Sequence, residues 1–272
     1  MQNETKREGY VKIVFIGDVV GKPGRRAFEL GYEEIKRKYS PDFVIVNVEN
    51  AAGGNGVTPQ IVDYFLSKGV DCLTSGNHVW DKREFLKYVD MYDRFLRPFN
   101  FPSGTPGKGF CVIEKKGKKI AVVNLIGRLL MDYFFECPFR KLEEILGYIG
   151  DVKHIIVDFH AEATSEKRAF GFWADGKVSA VIGTHTHIQT ADEMIMEKGT
   201  AYITDVGMTG YLYSVIGLDI ESALNKLLYR LPFKVEPGGK ILGINGVFIE
   251  FDKNGKAVFI ERFKKIIDRI VL

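Results

Sequence analysis

Between residues 10 and 77, three short β-branched apolar runs alternate with two helix-patterned segments, and this alternation narrows the fold more than any other feature. The runs "YVKIVFIGDVV" (10–20), "DFVIVNVEN" (42–50) and "VDCLTSGN" (70–77) read as buried strands. "GRRAFELGYEEIKRKY" (24–39) has helical spacing. "TPQIVDYFLSKG" (58–69) opens with Thr58 as N-cap and Pro59 at the first helical position, and Gly69 closes it. Strand–helix–strand repeats predict a parallel sheet with helices on its faces. Asp81 and Glu84 form an N-capping pattern over "DKREFLKYVD" (81–90) and predict one more helix.

The later chain changes style. "KGFCVIEKKGKKIAVVNLIG" (108–127) reads as two strands around a Lys-Gly turn, and "HIIVDFHAE" (154–162) and "VSAVIGTHTH" (178–187) as further buried strands. "EMIMEKGTAYITDVG" (193–207) reads as a hairpin turning at Lys198–Gly199, and 241–263 as a final pair around Asn254–Gly255, a strong hairpin signal. No linker or low-complexity tract interrupts the chain. Its 272 residues, 46% of them hydrophobic, suffice for a sizeable core. The expectation is an α/β fold with two packed β-sheets in a single domain over 1–272, residues 1–10 being a polar extension. A two-domain split near residue 107 is the alternative.

Composition excludes several function classes. The net charge of +3 is spread along the chain, without the clustered basic face of a dedicated nucleic-acid binder, so no stable nucleic-acid partner is expected. A small anionic substrate is compatible. Cys72, Cys111 and Cys137 are odd in number, widely spaced and without a CxxC pair, which points to a reducing cytoplasm. The polar start "MQNETKREGY" is no secretory signal, and no apolar run approaches the roughly 18 residues of a membrane helix. A soluble, cytoplasmic protein is expected, with a homo-oligomer left open.

The polar residues fall in a pattern. Apolar runs end at Gly17-Asp18, at Glu49-Asn50, at Gly76-Asn77-His78, at His160, and at His185 and His187. Ligands of open α/β sheets bind outside the carboxyl ends of the strands, so five strands would deliver these groups to one edge. Four of the five histidines lie at such ends; His154 starts a run and reads as structural. In "GTHTHIQT" (183–190), an extended backbone would point His185 and His187 the same way, into one volume. That suits a shared metal or phosphate, and equally a packed strand end. Carboxylate, amide oxygen and imidazole together suit Mn, Fe or Zn. One carboxylate can bridge two ions roughly 3.5–4 Å apart, a pair that clamps phosphoryl oxygens.

The strings "FIGDVVGKPGR", "VNVENAAGGNG", "TSGNHVWDK", "VDFHAEATSEK" and "GTHTHIQTAD", spread over about 11–263, resemble the calcineurin-like metallophosphoesterase superfamily. Within it they resemble the YmdB-like bacterial branch of 2′,3′-cyclic nucleotide phosphodiesterases. The chain departs from the broad superfamily at Val20, where a histidine is usual, and at Glu49, where the bridging residue is usually Asp. Both departures fit the branch. The resemblance implies a metallophosphoesterase fold and two metal ions, Fe or Mn foremost, with Zn or Mg possible. It implies one ion held by Asp18, Glu49, Asn50 and His187, and the other by Glu49, Asn77, His160 and His185. It further implies in-line attack on phosphorus by a metal-bridging hydroxide, with His78 as general acid; an imidazole suits that task because its unperturbed pKa is about 6.5. The substrate would be a small cyclic phosphodiester; no substrate-binding residue is assigned. Competing readings are a phosphomonoesterase or 5′-nucleotidase, and a regulatory nucleotide- or metal-binding protein with little turnover.

The remaining features receive plainer expectations. "AAGGNG" (51–56) reads as a tight turn rather than a phosphate cradle. Asp81 reads as a helix cap more than as a partner of His78. Glu162 shares a face with His160 and could stand behind a metal ligand. Arg25 and Arg26 read as a solvated helix face. The aromatic-rich segments 129–139 and 207–218 could line a base-binding wall, a subunit interface or ordinary core.

Overall fold

The structure is a computed structural model that describes residues 9–131, 134–232 and 234–268. The polar extension therefore lies almost wholly outside the described residues, as do positions 132 and 133 of the first aromatic-rich segment. The amino-terminal third runs β1 (Val11–Ile16), β2 (Asp18–Val19), α1 (Gly21–Tyr39), β3 (Phe43–Asn47), α2 (Pro59–Ser67) and β4 (Cys72–Thr74). The middle adds β5 (Phe110–Lys115), β6 (Lys118–Ile126), α3 (Pro138–Ile149), β7 (His154–His160), α4 (Thr164–Ala174) and β8 (Ala180–Thr184). The chain closes with β9 (Met194–Ile195), β10 (Ala201–Ile203), β11 (Met208–Tyr213), α5 (Ile220–Tyr229), β12 (Lys240–Phe251) and β13 (Ala257–Asp268).

Two mixed sheets result. The first runs β2-β11-β12-β1-β3-β4 with β13 on β12; the second runs β5-β6-β7-β8-β10-β9. The predicted parallel pairing of β1, β3 and β4 is present, and β6, β7 and β8 form a second parallel set. The apolar runs are continuous because both strand faces are covered. Val14, Ile16, Val44 and Val46 pack against Phe28, Tyr32 and Ile35 of α1. The alternating residues Ile13, Phe15 and Ile45 meet Val122, Ile156 and Ile182 of the second sheet. Helices α3 and α4 cover that sheet's far face through Leu142, Ile145 and Phe170. The layers are those of an αββα sandwich, the calcineurin-like phosphoesterase fold.

Local chemistry explains the turns. Lys116 and Gly117 between β5 and β6 both have positive φ, 51° and 73°, which matches the twist of a two-residue hairpin. Gly255, between β12 and β13, has φ 85°, and a Cβ there would stand 2.0 Å from the Lys153 carbonyl oxygen. Cys72 and Cys111, distant in sequence, lie 3.7 Å apart as free thiols between the sheets. No described helix is long and apolar enough to cross a membrane.

Three expectations need correction. Helix α1 starts at Gly21, three residues before the expected boundary, since Pro23 sits in a first turn where no N–H donor is missed. Segment 81–90 is two 3-10 turns, Arg83–Lys87 and Val89–Met91, not an α-helix. Its expected cap, Asp81, is engaged elsewhere. Strand β8 ends at Thr184, so His185 and His187 lie beyond the strand.

Candidate metal centre

The site forms where strand ends of the two sheets face each other. From the first sheet, Asp18 begins β2 and is fully buried; its Oδ2 accepts the His185 backbone N–H at 2.9 Å. Glu49 and Asn50 follow β3, where the Asn47 side chain accepts the Glu49 N–H at 3.0 Å. Asn77 and His78 follow β4, reached through Gly76. A Cβ on Gly76 would stand 1.6 Å from Glu49 Oε2 and 2.3 Å from His160 Nε2, so only glycine lets the backbone pass. From the second sheet, His160 ends β7 and His185 follows β8.

Proton bookkeeping shows what these groups can bind. Thr184 Oγ1 donates its single hydrogen to Asp158 Oδ1 at 2.7 Å, so it must accept from His160 Nδ1 at 2.9 Å. The Nε2 of His160 is therefore bare. The Nε2 of His185 faces Glu162 Oε2 at 3.2 Å and carries the hydrogen of that ring, which leaves its Nδ1 bare as well. Yet His160 Nε2 lies 3.0 Å from His185 Nδ1, 2.9 Å from Glu49 Oε2 and 3.1 Å from Asn77 Oδ1. Four acceptor atoms converge, and none of their neighbours supplies a hydrogen. Glu49, His160 and His185 form a cluster among the described residues whose ligand atoms all lie within 4.8 Å of one another. Such a set suits a cation.

A second group of bare atoms adjoins the first. Asp18 Oδ1, Glu49 Oε2 and Asn50 Oδ1 are buried without a hydrogen-bond partner. Asn50 turns its Nδ2 to the Gly54 carbonyl at 2.8 Å and leaves its oxygen free. His187 Nδ1 donates to the Ile216 carbonyl at 2.7 Å, which leaves Nε2, 3.7 Å from Asp18 Oδ2, without a hydrogen. A buried polar atom left unpaired costs about 1–3 kcal/mol, more when charged, so three of them mark a place built for something else.

Electrostatics agree. Burial, followed by Glu49, pushes the Asp18 carboxyl well up. Burial likewise raises Glu49 to about 7, against the pull of His78 and His187. Burial, then Lys167, holds His160 far below its usual range, and burial with His160 beside it lowers His185 to about 2. The imidazoles thus stay neutral, as ligands must. The carboxylates would be strained as anions until a cation arrives.

The structure brings all seven expected ligands together, but not by the expected route. His185 and His187 have φ of 100° and 67°, left-handed values that a histidine rarely takes. They do not share an extended face: His185 turns toward Glu49 and His160, and His187 toward Asp18. A buried clamp holds this strained loop. Lys167 on α4, only 1% exposed, donates to the Thr184 carbonyl at 2.7 Å and to Asp205 Oδ2 at 2.8 Å. The same Asp205 oxygen accepts the Thr186 N–H at 3.0 Å and hydroxyl at 2.8 Å, between the two histidines. Sequence reasoning missed Lys167 and Asp205, although Asp205 follows the end of β10 much as other acidic and amide groups follow theirs. Thr186→Val is expected to keep the fold, by circular dichroism, and to weaken metal binding about 10–100-fold in titrations of metal-free protein, as is usual for groups behind a ligand.

His78 stands apart from the converging lone pairs. Its Nδ1 lies 2.9 Å from Asp81 Oδ2, which also accepts Asn55 Nδ2 at 3.2 Å. Asp81 therefore orients His78 rather than capping a helix. His78, Glu162, His185, His187, Ile216 and Leu218 help to line a cavity of about 380 Å³ over the site. Glu162 lies beyond the end of β7 rather than on its face with His160, and its carboxylate meets His185. Arg26 pairs with Glu29 on the surface at 2.7 Å, but Arg25 donates to the Ala51 carbonyl and tethers the turn after Asn50. That turn is tight, with positive φ at Gly53, Gly54 and Gly56. His154 bonds the Asp252 carbonyl at 2.9 Å, far from the site, as a structural residue.

Residues 14–263 match the YmdB-like protein family. The chain belongs to that family. It is 46% identical over 254 residues to the 2′,3′-cyclic-nucleotide 2′-phosphodiesterase of Bacillus subtilis (strain 168), covering 93% of this chain and 96% of that one. A solved Mycoplasma pneumoniae structure, described as a novel phosphatase, superposes with a TM-score of 0.89 at 36% identity, covering 96% of this chain and 95% of the other. A hypothetical protein from Thermus thermophilus superposes with a TM-score of 0.88 at 38% identity, covering 95% of this chain and 100% of the other. Membership makes this YmdB-like chain an enzyme of the phosphoesterase class, on a fold that implies divalent metal ions.

Proposed function

We propose that the chain is a dimetal phosphodiesterase that opens 2′,3′-cyclic nucleotides. The convergence of the acceptor atoms Glu49 Oε2, Asn77 Oδ1, His160 Nε2 and His185 Nδ1 carries the reading. The name of the Bacillus subtilis relative supplies the substrate class. One ion is assigned to Glu49, Asn77, His160 and His185, the other to Asp18, Glu49, Asn50 and His187, with Glu49 shared. Fe or Mn fits the mixed nitrogen and oxygen donors, and Zn or Mg is also compatible. When bound, such a pair neutralises phosphoryl oxygens and lowers the pKa of water.

The chain's own residues do the rest. The Asp81 carboxylate holds His78 by Nδ1, so Nε2 is free to face a substrate in the cavity and protonate the departing ribose oxygen. Glu162 and the Ile216 carbonyl fix the ring orientations of His185 and His187. Val20, Ile216 and Leu218 give the cavity an apolar wall on the Asn50 side, suited to ribose or base. The free thiols suit a cytoplasmic setting.

The deciding assay compares turnover of adenosine 2′,3′-cyclic phosphate and the corresponding nucleoside monophosphates with added manganese. The reading expects the cyclic diester to be consumed and the monoester to accumulate. Faster release of inorganic phosphate from the monoesters would favour the phosphomonoesterase reading, and no turnover at all the regulatory one. Asn50 supplies a further check, because Val20 offers no ligand atom. Asn50→Ala is expected to leave a folded protein holding about one metal per chain by elemental analysis. Two tightly held ions in that variant would remove Asn50 from the set.

A further inference from the structure

We infer that a second cavity beside the metal centre binds the neighbouring nucleotide of a longer chain, so that the preferred substrate is an oligoribonucleotide ending in a 2′,3′-cyclic phosphate. The inference rests on the phosphodiesterase reading above. The second cavity, about 480 Å³, has Asp81, the partner of His78, in its lining. Asn55 lines both cavities, and Asn77 lines the second, so the two adjoin at the proposed reaction centre.

Its walls carry nucleotide chemistry. Trp80 and Phe101 meet edge to face, ring centroids 6.2 Å apart at 75°, and Phe135 braces Phe101 from behind at 5.0 Å and 79°. Trp80 is half-buried, so its fixed ring can offer a face to a base. Lys82 and Arg83 line the same cavity, and among the described residues neither forms an ion pair or side-chain hydrogen bond. The acidic neighbour, Asp81, is already committed to His78 and Asn55. Two free cations beside a braced aromatic pair form a place for a base and a phosphate.

A free 2′,3′-cyclic mononucleotide does not account for this place. Its single phosphate carries one negative charge, and that phosphate belongs at the metal centre. Once that phosphate is at the metals, no second anionic group is left on the mononucleotide for Lys82 and Arg83. The 3′ end of an oligoribonucleotide adds a phosphodiester on the 5′-oxygen of the terminal ribose, followed by another base. With the terminal phosphate at the metals, that phosphodiester reaches toward the cations and the preceding base toward Trp80. The reaction is unchanged. Water adds to phosphorus and gives one proton to solvent, one bond between phosphorus and a ribose oxygen breaks, and that oxygen takes a proton from His78, which solvent then restores.

The test measures kcat/KM with manganese for adenosine 2′,3′-cyclic phosphate and for the diadenosine dinucleotide ending in the same cyclic phosphate. Three proteins are compared: the unchanged protein, a Lys82→Ala/Arg83→Ala double variant, and Trp80→Leu. The unchanged protein should prefer the dinucleotide by about 5–100-fold, the worth of one base stacked on an aromatic ring. Both variants should lose most of that preference through a higher KM and keep their rate on the mononucleotide. The double variant alters one exposed and one half-buried side chain, neither of them in the apolar core, so it stays informative even where Trp80→Leu folds poorly. Equal kcat/KM for the two substrates in the unchanged protein, or equal losses on both in the double variant, would overturn the second subsite and leave the phosphodiesterase reading standing. Turnover of neither substrate would overturn both.

Discussion

His78→Ala is expected to retain both metals and near-normal thermal stability, yet to lose about 10²–10⁴-fold in kcat on a 2′,3′-cyclic nucleotide, the usual worth of general acid catalysis. The structure supports this separation. Among the described residues the His78 imidazole makes its one side-chain hydrogen bond with Asp81, which is not among the converging ligand atoms, and His78 lines the open cavity. The loss should depend on the leaving group. A ribose hydroxyl needs the proton, whereas p-nitrophenolate departs without one. The variant should therefore lose far less on bis-p-nitrophenyl phosphate than on the cyclic nucleotide. Equal losses on the two substrates, or a missing metal, would mean that His78 positions the site instead.

The largest effect is expected at Glu49. It is the one carboxylate assigned to both ions, it is 1% exposed, and its Oε2 has no hydrogen-bond donor. Glu49→Gln removes a negative charge from the middle of the centre and can place an amide N–H among atoms that are all acceptors. Both metal occupancies should fall in elemental analysis, and phosphodiester hydrolysis should disappear. Full activity would place the bridge elsewhere, with Asp18 the next candidate, because its Oδ1 is also buried and unpaired. Acid should mimic the substitution in part. Burial lifts the Glu49 carboxyl to about 7, so below that pH a proton competes with the metals for it.

Much of this is legible in the sequence because two physical constraints are local. A strand buried on both faces reads as a continuous apolar run, and polar residues that interrupt such runs at their carboxyl ends mark one edge of the sheet. That reasoning reaches Asp18, Glu49, Asn50, Asn77 and His160 directly. It reaches His185 and His187 by a geometry the chain does not use, since a two-residue period says nothing once φ turns positive after Thr184. The long-range contacts stay hidden. "TSEKRAFGFW" does not reveal that Lys167 is the buried cation, because helical spacing gives a face but not what that face meets across the fold. Asp81 misleads for a related reason. An acidic residue three before Glu84 suits a cap, but a nearby imidazole and amide from another turn claim its carboxylate first.

The two sheets contribute the proposed ligands unequally but jointly. Asp18, Glu49, Asn50 and Asn77 belong to ends of the first sheet, His160 and His185 to ends of the second, with His187 two residues on. Metals held by these residues would act as a rivet through the sandwich, and assembly of its halves would be linked to metal supply. A ligand that binds only the assembled state adds stability of RT ln(1 + [L]/Kd), about 4 kcal/mol at a thousandfold excess over Kd. For a chain of this size that corresponds to a melting temperature higher by roughly 10 °C. A cell short of the right ion would then hold less of this protein as well as a less active one, because the metal-free form opens more often along the seam between its sheets.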